Sequence, residues 1–485
     1  MHAFLIALAV LIGGYFIYGA IVDKIIGTRT DTPMPAYTKA DGVDYTPMPT
    51  WKVFLIQFLN IAGLGPIFGA IMGIMFGPAA FLWIVLGTIF AGAVHDFLSG
   101  VISIRMGGAS LPEIVGHELG NGVKQVMRVF SVVLLVLVVA VFVLTPADLL
   151  ASMTPSWLDR SVWIAIILGY YILATLLPID KLIGNLYPLF GFALLFMAVG
   201  LLGYLLFSGI DIPSGFESGL ANRHGGDHSV NPIFPMMFVS IACGAISGFH
   251  ATQSPMMARC LTNEKLARPI FYGAMVTEGI VALIWAAAAI AFAGSYENLT
   301  SYMAEHGNSA GALVKEISVT WLGTIGGILA LLGVIAAPIS TGDTALRSAR
   351  LIVADILDIS QKTFVKRLMV CLPLFVASFV LMLIDFNVLW RYFAWSNQTL
   401  AVFTLWAVTV YLARHGKAFI VSLLPALFMT AVSVSYLLFA PRPEGFGLSI
   451  SIAVAAGIVV ATVFLAIFLR WNSKFGKNNK VLLSD

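Results

Sequence analysis

The sequence predicts an all-α integral membrane protein of about thirteen transmembrane helices, and three observations carry that prediction. Of the 485 residues, 59% are hydrophobic and only 11% charged, against about 25% charged in soluble domains. Runs of roughly 20 apolar residues, the length a helix needs to cross a ~30 Å hydrocarbon core, recur from end to end, and no polar block between them is long enough for a soluble domain. Basic residues alternate between connections: 22 of the 27 Lys and Arg lie beside connections that follow odd-numbered spans, leaving 5 for the others. The positive-inside rule then puts the odd connections and the C-terminus in the cytoplasm and the N-terminus outside.

In order, the spans centre in 3–22, 51–76, 79–104, 127–145, 161–178, 187–208, 232–253, 269–293, 319–340, 367–384, 392–413, 417–439 and 446–469. The first follows Met1-His2 without a basic region or a small-residue cleavage site, so it reads as a retained anchor. The three cysteines, Cys243, Cys260 and Cys371, lie in or beside apolar runs without CxxC spacing, which argues against a disulfide framework, an iron–sulfur site or a redox pair. The net charge of +3 reflects cytoplasmic loops and implies no nucleic-acid partner.

Span two, WKVFLIQFLNIAGLGPIFGAIMGIMF, is interrupted at Gly63, Leu64, Gly65 and Pro66, about 20 Å from its start at 1.5 Å per residue. Gln57 and Asn60 precede that break. Span seven has the same design: Gly244, Ser247 and Gly248 are followed by His250, Thr252, Gln253 and Ser254. The breaks are five spans apart, and because five is odd the two spans run in opposite directions. Spans two to six and seven to eleven then form inverted repeats, dividing the chain into an extra helix and loop (1–50), two five-helix repeats (51–210 and 211–413) and two C-terminal helices with a basic tail (414–485). Paired Gly/Pro-interrupted spans mark a transporter's substrate site. Unwinding frees N–H groups that suit a carboxylate and carbonyls that suit a cation. Glycines that only allow close helix packing are the alternative.

Ionisable groups fall inside the bilayer. Span three places His95 and Asp96 some nine residues before Arg105, and span eight carries Glu278 with no basic residue near it in sequence. Such groups face a cavity or a partner. Asp96 reads either as a proton-coupling group with His95 or as a brace for the unwound backbone, and Glu278 either as a second proton carrier or as a neutral structural acid. In PISTGDTALRSARL, Asp343 and Arg347 are spaced i, i+4 for a salt bridge. Ser340 and Thr341 either cap a helix that begins at Asp343 or help ligate Na⁺ against carbonyls of span two. His224, Asp227 and His228 in NRHGGDHS have metal-like spacing in a Gly-rich loop. GHELG at His117-Glu118 lacks the second His of a zincin helix. Ser396, Asn397 and Gln398 in span eleven suit interhelical hydrogen bonds or substrate contact.

Three blocks, NIAGLGPIFG running into LWIVLGTIFAGAVHDF, then ISGFHATQSPMMAR, then STGDTALRSARL, together with WRYFAWSNQTLA, resemble the carbon starvation protein A (CstA) family of bacterial inner-membrane transporters. The resemblance implies uptake of short peptides, or of pyruvate in some members, driven by protons, and a LeuT-type five-plus-five inverted repeat. It carries over to Gly63, Gly65, Pro66, Asp96, Gly248, His250, Thr252, Gln253, Pro255, Arg259, Asp343 and Arg347. The chain departs from the pattern at Gln57, where His is expected, and at Ala70, where Pro is expected. The expectation is therefore a symporter without cofactor or metal, coupled to H⁺ or alternatively Na⁺. Gln57, Asn60, Gly63, Gly65, Pro66, Ser247, Gly248, His250, Thr252 and Gln253 would face substrate, and His95, Asp96 and Glu278 would carry protons. Arg259, Ser340, Thr341, Asp343 and Arg347 would serve the gate or the scaffold. An intramembrane hydrolase using Ser247 or Ser254 with His250 is the competing reading.

Overall fold

The computed structural model describes residues 1–176, 183–213, 215–225 and 228–482, and among these residues all regular structure is helical. That follows from the composition, because a helix satisfies its own backbone hydrogen bonds where lipid offers none. In chain order the helices are α1 (His2–Ile26), α2 (Pro35–Thr38), α3 (Thr50–Ile61), α4 (Ala70–Ile74), α5 (Ala79–Gly87), α6 (Ala93–Arg105), α7 (Leu111–Leu119), α8 (Asn121–Ala151), α9 (Arg160–Leu176) and α10 (Ile183–Phe207). There follow α11 (Phe238–Ser240), α12 (His250–Ala258), α13 (Gly273–Ala293), α14 (Tyr296–Glu305), α15 (Ala310–Leu357), α16 (Phe364–Leu381), α17 (Phe386–Arg414), α18 (Ile420–Phe439) and α19 (Ile450–Leu482). Single π-helical turns join α3 to α4, α5 to α6, and the 264–266 turn to α13.

Among the described residues nine helices are long and apolar enough to cross a membrane, and the bent pair Thr50–Ile61 and Gly65–Ile74 makes ten. This is the pattern of a multi-pass membrane protein. The fifth predicted span is a shorter apolar helix of 17 residues, and its last positions lie outside the described residues. The seventh is interrupted where the sequence predicts, but over a longer stretch than the second. Residues 241–249 form turns between α11 and α12, so the break is nine residues long. The helices that contain Asp96 and Glu278 are mostly buried within the protein, whereas α1 and α19 are mostly exposed on its outside.

Contacts sort the connections into two ends. The Met48 amide donates to the Cys260 carbonyl at 3.1 Å, Arg105 pairs with Glu264 at 2.6 Å and Arg414 with Glu118 at 3.5 Å, which gathers the 27–49, 106–120, 259–267 and 414–418 connections at one end. At the opposite end the Arg223 amide donates to the Phe76 carbonyl at 3.1 Å and Tyr392 to the Pro443 carbonyl at 3.1 Å. The first end is called the basic end below.

Candidate functional site

The two interrupted segments cross each other. Pro66 lacks an N–H and Gly63 and Gly65 flank it, so α3 stops at Ile61 and the chain turns by 55° before resuming. A Cβ placed on Gly65 would lie 1.9 Å from Cys243 Cβ, and one on Gly69 would lie 2.8 Å from the Ser240 carbonyl oxygen. In span seven a Cβ on Gly248 would lie 2.3 Å from the Ala401 amide nitrogen. These glycines therefore permit close approach between backbones, and Gly65 and Gly248 do not open an empty space beside the breaks.

The freed backbone has partners. Asn397 accepts from the Gly248 amide through its carbonyl at 3.0 Å and from the Phe249 amide through its side chain at 3.2 Å. Thr88 donates to the Gly244 carbonyl at 3.2 Å, and Gln398 donates to the Ile246 carbonyl at 3.5 Å. The span-eleven amides thus satisfy unwound backbone in the interhelical manner. Thr88 was not legible as a partner, since nothing in its sequence context points to Gly244.

Four ionisable side chains, all fully buried, meet beside the crossing. His95 Nδ1 lies 2.7 Å from Asp96 Oδ1, and His250 Nδ1 lies 3.0 Å from Asp96 Oδ2. His250 Nε2 faces Glu278 Oε2 at 3.6 Å. Glu278 has no basic residue near it in sequence, and sequence distance concealed that α13 packs its acid against the imidazole of α12. The result is a chain, His95–Asp96–His250–Glu278, that links spans three, seven and eight. An imidazole between two carboxyl groups can hand a proton from one side to the other through its two nitrogens.

Around this chain several buried polar atoms have no hydrogen-bond partner: both side-chain heteroatoms of Asn60, the carbonyl oxygens of Gln57 and Gln253, His250 Nε2 and both Glu278 oxygens. Orphaned polar atoms are costly in a protein interior and mark where a ligand or water belongs. The Gln57 amide donates to Ser254 at 3.4 Å, and that of Gln253 to Thr252 at 2.8 Å and Ser348 at 3.3 Å. Thr252 donates to the Phe249 carbonyl at 2.7 Å. Ser247 accepts from Cys243 Sγ at 3.6 Å. Among the described residues the His250 amide donates to the Ser247 carbonyl at 3.2 Å, but neither the Ser247 nor the Ser254 hydroxyl bonds to the His250 imidazole, so no serine–histidine catalytic pair is formed.

Two expectations for the STGD segment fail. No helix begins at Asp343, because α15 runs through it without interruption. Ser340 and Thr341 instead donate to the Ala337 carbonyl at 2.8 and 2.9 Å, the intrahelical bonding that lets hydroxyls sit inside a helix. The Thr341 hydroxyl also lies 2.8 Å from the Leu59 carbonyl of span two, sharing its one proton between that carbonyl and Ala337. Nor do Asp343 and Arg347 form the expected i, i+4 ion pair: Asp343 accepts from Tyr187 at 2.7 Å while Arg347 reaches Asp44 at 2.9 Å. Asp44 was missed altogether, since an Asp in a polar loop gives no sign that it will be buried. Burial alone would raise its pKa, but the guanidiniums of Arg350, Arg347 and Arg259 outweigh that and hold its carboxyl well below the usual range.

Cavities flank the centre. A cavity of about 460 Å³, lined by Phe68, Met72, Asp148, Lys315 and Trp390, opens above the first break at the end opposite the basic one. At the basic end a polar cavity of about 920 Å³ contains Asp44, Tyr45, Arg259 and Leu351. A space of about 20 Å³, lined by Arg259, Thr252, Ser348 and Leu351, shares Arg259 and Leu351 with it. Arg259 lines both spaces, donating to the Gly108 carbonyl at 2.9 Å with its guanidinium 4.9 Å from the Tyr45 ring. Elsewhere His224 and His228 bond backbone carbonyls, Asp227 lies outside the described residues, and no group of three or more His, Cys, Asp or Glu among the described residues is arranged to hold a metal ion.

A family model described as carbon starvation protein CstA matches residues 1–158 and 151–329. An uncharacterized membrane protein of Haemophilus influenzae is 46% identical over 344 residues, covering 61% of this chain and 91% of that protein. The peptide transporter CstA of Mycobacterium tuberculosis is 28% identical over 338 residues, 56% of this chain and 44% of its own. The pyruvate/proton symporter BtsT of Escherichia coli is 28% identical over 326 residues, 54% of this chain and 45% of its own. The chain thus matches about half the length of these two named transporters.

Proposed function

We propose that this chain, which belongs to the carbon starvation protein CstA family, is a secondary active transporter that imports short peptides with protons by alternating access. One observation carries the reading: the buried chain Asp96–His250–Glu278 includes a residue of span seven, and α13, which carries Glu278, packs against both halves of span two, so the groups that can hold protons lie on the segments that would enclose substrate or on a helix packed against them. A proton passing between Glu278 and His250 changes the charge that Asp96 faces, and with it the grip of span three on span seven. Substrate bound to the orphaned atoms of Gln57, Asn60 and Gln253 would bias that same contact, which is the linkage a symporter requires.

Peptide is favoured over a bare carboxylate because the orphaned central atoms are amide, imidazole and carboxyl groups, suited to amide bonds and an ammonium. The second reading, pyruvate or another small carboxylate, is supported by the similarity to a pyruvate/proton symporter at the same identity as to a peptide transporter. Protons are the coupling ion in this proposal. Na⁺ is the alternative, supported by the approach of Thr341 to the Leu59 carbonyl.

In this reading the chain crosses a bacterial inner membrane thirteen times, with spans two to six and seven to eleven as LeuT-type repeats of opposite orientation. The N-terminus lies outside, and the C-terminus and the basic end lie in the cytoplasm. Reporters fused after Gly120 and Gln361 should then report cytoplasm and one after Asn308 the outside. A cytoplasmic signal at Asn308 sinks the orientation.

The function is tested in proteoliposomes. Labelled dialanine should exchange intact against internal dialanine and accumulate when an inward proton gradient is imposed. Exchange of pyruvate with no exchange of dialanine would select the second reading, and release of free alanine would favour a hydrolase.

A further inference from the structure

We propose that Arg347 and Arg350 form a carboxylate-binding site on the release side, held at rest by Asp44 and taken over by the carboxylate of departing substrate when the 41–48 strap withdraws. This rests on the transporter reading but not on the choice between peptide and pyruvate, since both carry a carboxylate.

The site already binds a carboxylate. Arg350 Nη2 lies 3.1 Å from each Asp44 oxygen and Arg347 Nη1 2.9 Å from one of them, and all three side chains are within 3% of full burial. Both guanidiniums are oriented by other groups, Arg347 through the Ala174 carbonyl at 2.6 Å and Arg350 through Gln361 at 2.8 Å, so the fork keeps its shape whoever occupies it. Asp44 itself arrives on a short exposed connection. Asp41 folds that connection by accepting from the amides of Val43, Asp44 and Tyr45 at 2.8, 2.9 and 2.9 Å, and the Met48 amide fastens it to Cys260.

The same strap closes the exit. Tyr45 stacks on Arg259, which lines both the cavity of about 920 Å³ and the small space beside Thr252 and Ser348. Opening that route moves Tyr45 and therefore Asp44. Withdrawal of Asp44 would take a hydrogen-bonded carboxylate from two buried guanidiniums, a loss that another anion in the same place would offset. Substrate leaving the centre past Ser348, one position from Arg347, supplies that anion. Exchange of one carboxylate for another makes opening depend on the presence of substrate.

The test uses the full-length protein in two ways. Asp44→Gly removes the resident carboxylate, and added formate or acetate should then raise the variant's melting temperature progressively with concentration. Wild type should not respond, and chloride at equal ionic strength should be inert. No rise, or an equal rise with chloride, overturns the site. If Asp44→Gly does not fold, Leu351→Cys serves in its place, since Leu351 lines both the cavity and the small space. Dialanine or pyruvate should speed its alkylation by maleimide in inside-out vesicles, dialanine amide should not, and Arg350→Gln should abolish the effect. Equal acceleration by the amide overturns the exchange. Failure of uptake by the wild type would sink the transporter reading, while formate rescue would leave the carboxylate site standing.

Discussion

Two buried polar clusters lie along the same route, and they are finished differently. At the basic end Asp44, Arg347 and Arg350 meet charge with charge at hydrogen-bonding distance. At the centre Asn60, Gln57, Gln253 and Glu278 present buried atoms with no hydrogen-bond partner. Both sets are expensive to bury, but the first offsets its desolvation internally and the second leaves it outstanding. The paired charges of the first cluster hold a conformation although Arg350 Nε has no acceptor, and the orphaned atoms of the second wait for a ligand. Substitutions can break that contrast from either side.

The largest effect is expected at His250, which contacts both Asp96 and Glu278. His250→Ala should abolish proton-driven accumulation. Asp96→Asn and Glu278→Gln should each lose accumulation yet retain substrate exchange, because exchange needs no net proton movement. Uptake driven by an imposed pH gradient, compared with counterflow in the same proteoliposomes, separates the two. If Glu278→Gln accumulates normally while Asp96→Asn does not, the relay ends at His250. Loss of both activities in Asp96→Asn would make Asp96 a brace.

The next effect falls on folding. A Cβ on Gly65 meets Cys243 and one on Gly248 meets the backbone of span eleven, so even Gly→Ala should destabilise by about 1–3 kcal/mol or more. Cys243→Gly should rescue Gly65→Ala in detergent thermal-stability measurements and leave Gly248→Ala unrescued. Equal behaviour of both double variants would refute the packing account. These positions also mark how far the sequence could be read. Gly63, Gly65, Pro66 and Gly248 announced the two breaks because glycine and proline act on their own backbone. What packs against them comes from elsewhere: Cys243 for Gly65, Asn397 for Gly248. The partner of His250 is Asp96, 154 residues away, and Asp44 looked like any loop acid. Local backbone chemistry was legible, whereas pairing across the fold was not.

A smaller effect is expected where span eleven supports the unwound segment. Asn397→Ala leaves the Phe249 amide without its acceptor and should cost roughly 1–3 kcal/mol. Gln398→Ala removes only two long bonds, at 3.4 and 3.5 Å, and should cost less. Thermal unfolding of both variants checks the order. A greater loss at Gln398 would show that its contacts matter beyond the hydrogen bonds.

The smallest effect is an expected constancy. Because Asp44 is held below the usual carboxylate range in the folded protein, its pairing contributes stability above the ordinary Asp value of about 3.9 and loses it only as pH falls below that value. Between pH 5 and 8, a range on the order of that in which imidazoles titrate, the stability difference between wild type and Asp44→Asn should not change. Below about pH 4 the two should converge, as the unfolded wild-type chain takes up a proton at Asp44 that the folded protein still refuses. Melting temperatures across that range decide it. A difference that changes between pH 5 and 8 would mean that Asp44 shares protons with the central chain, and the two clusters would then be one titrating system rather than a latch beside a relay.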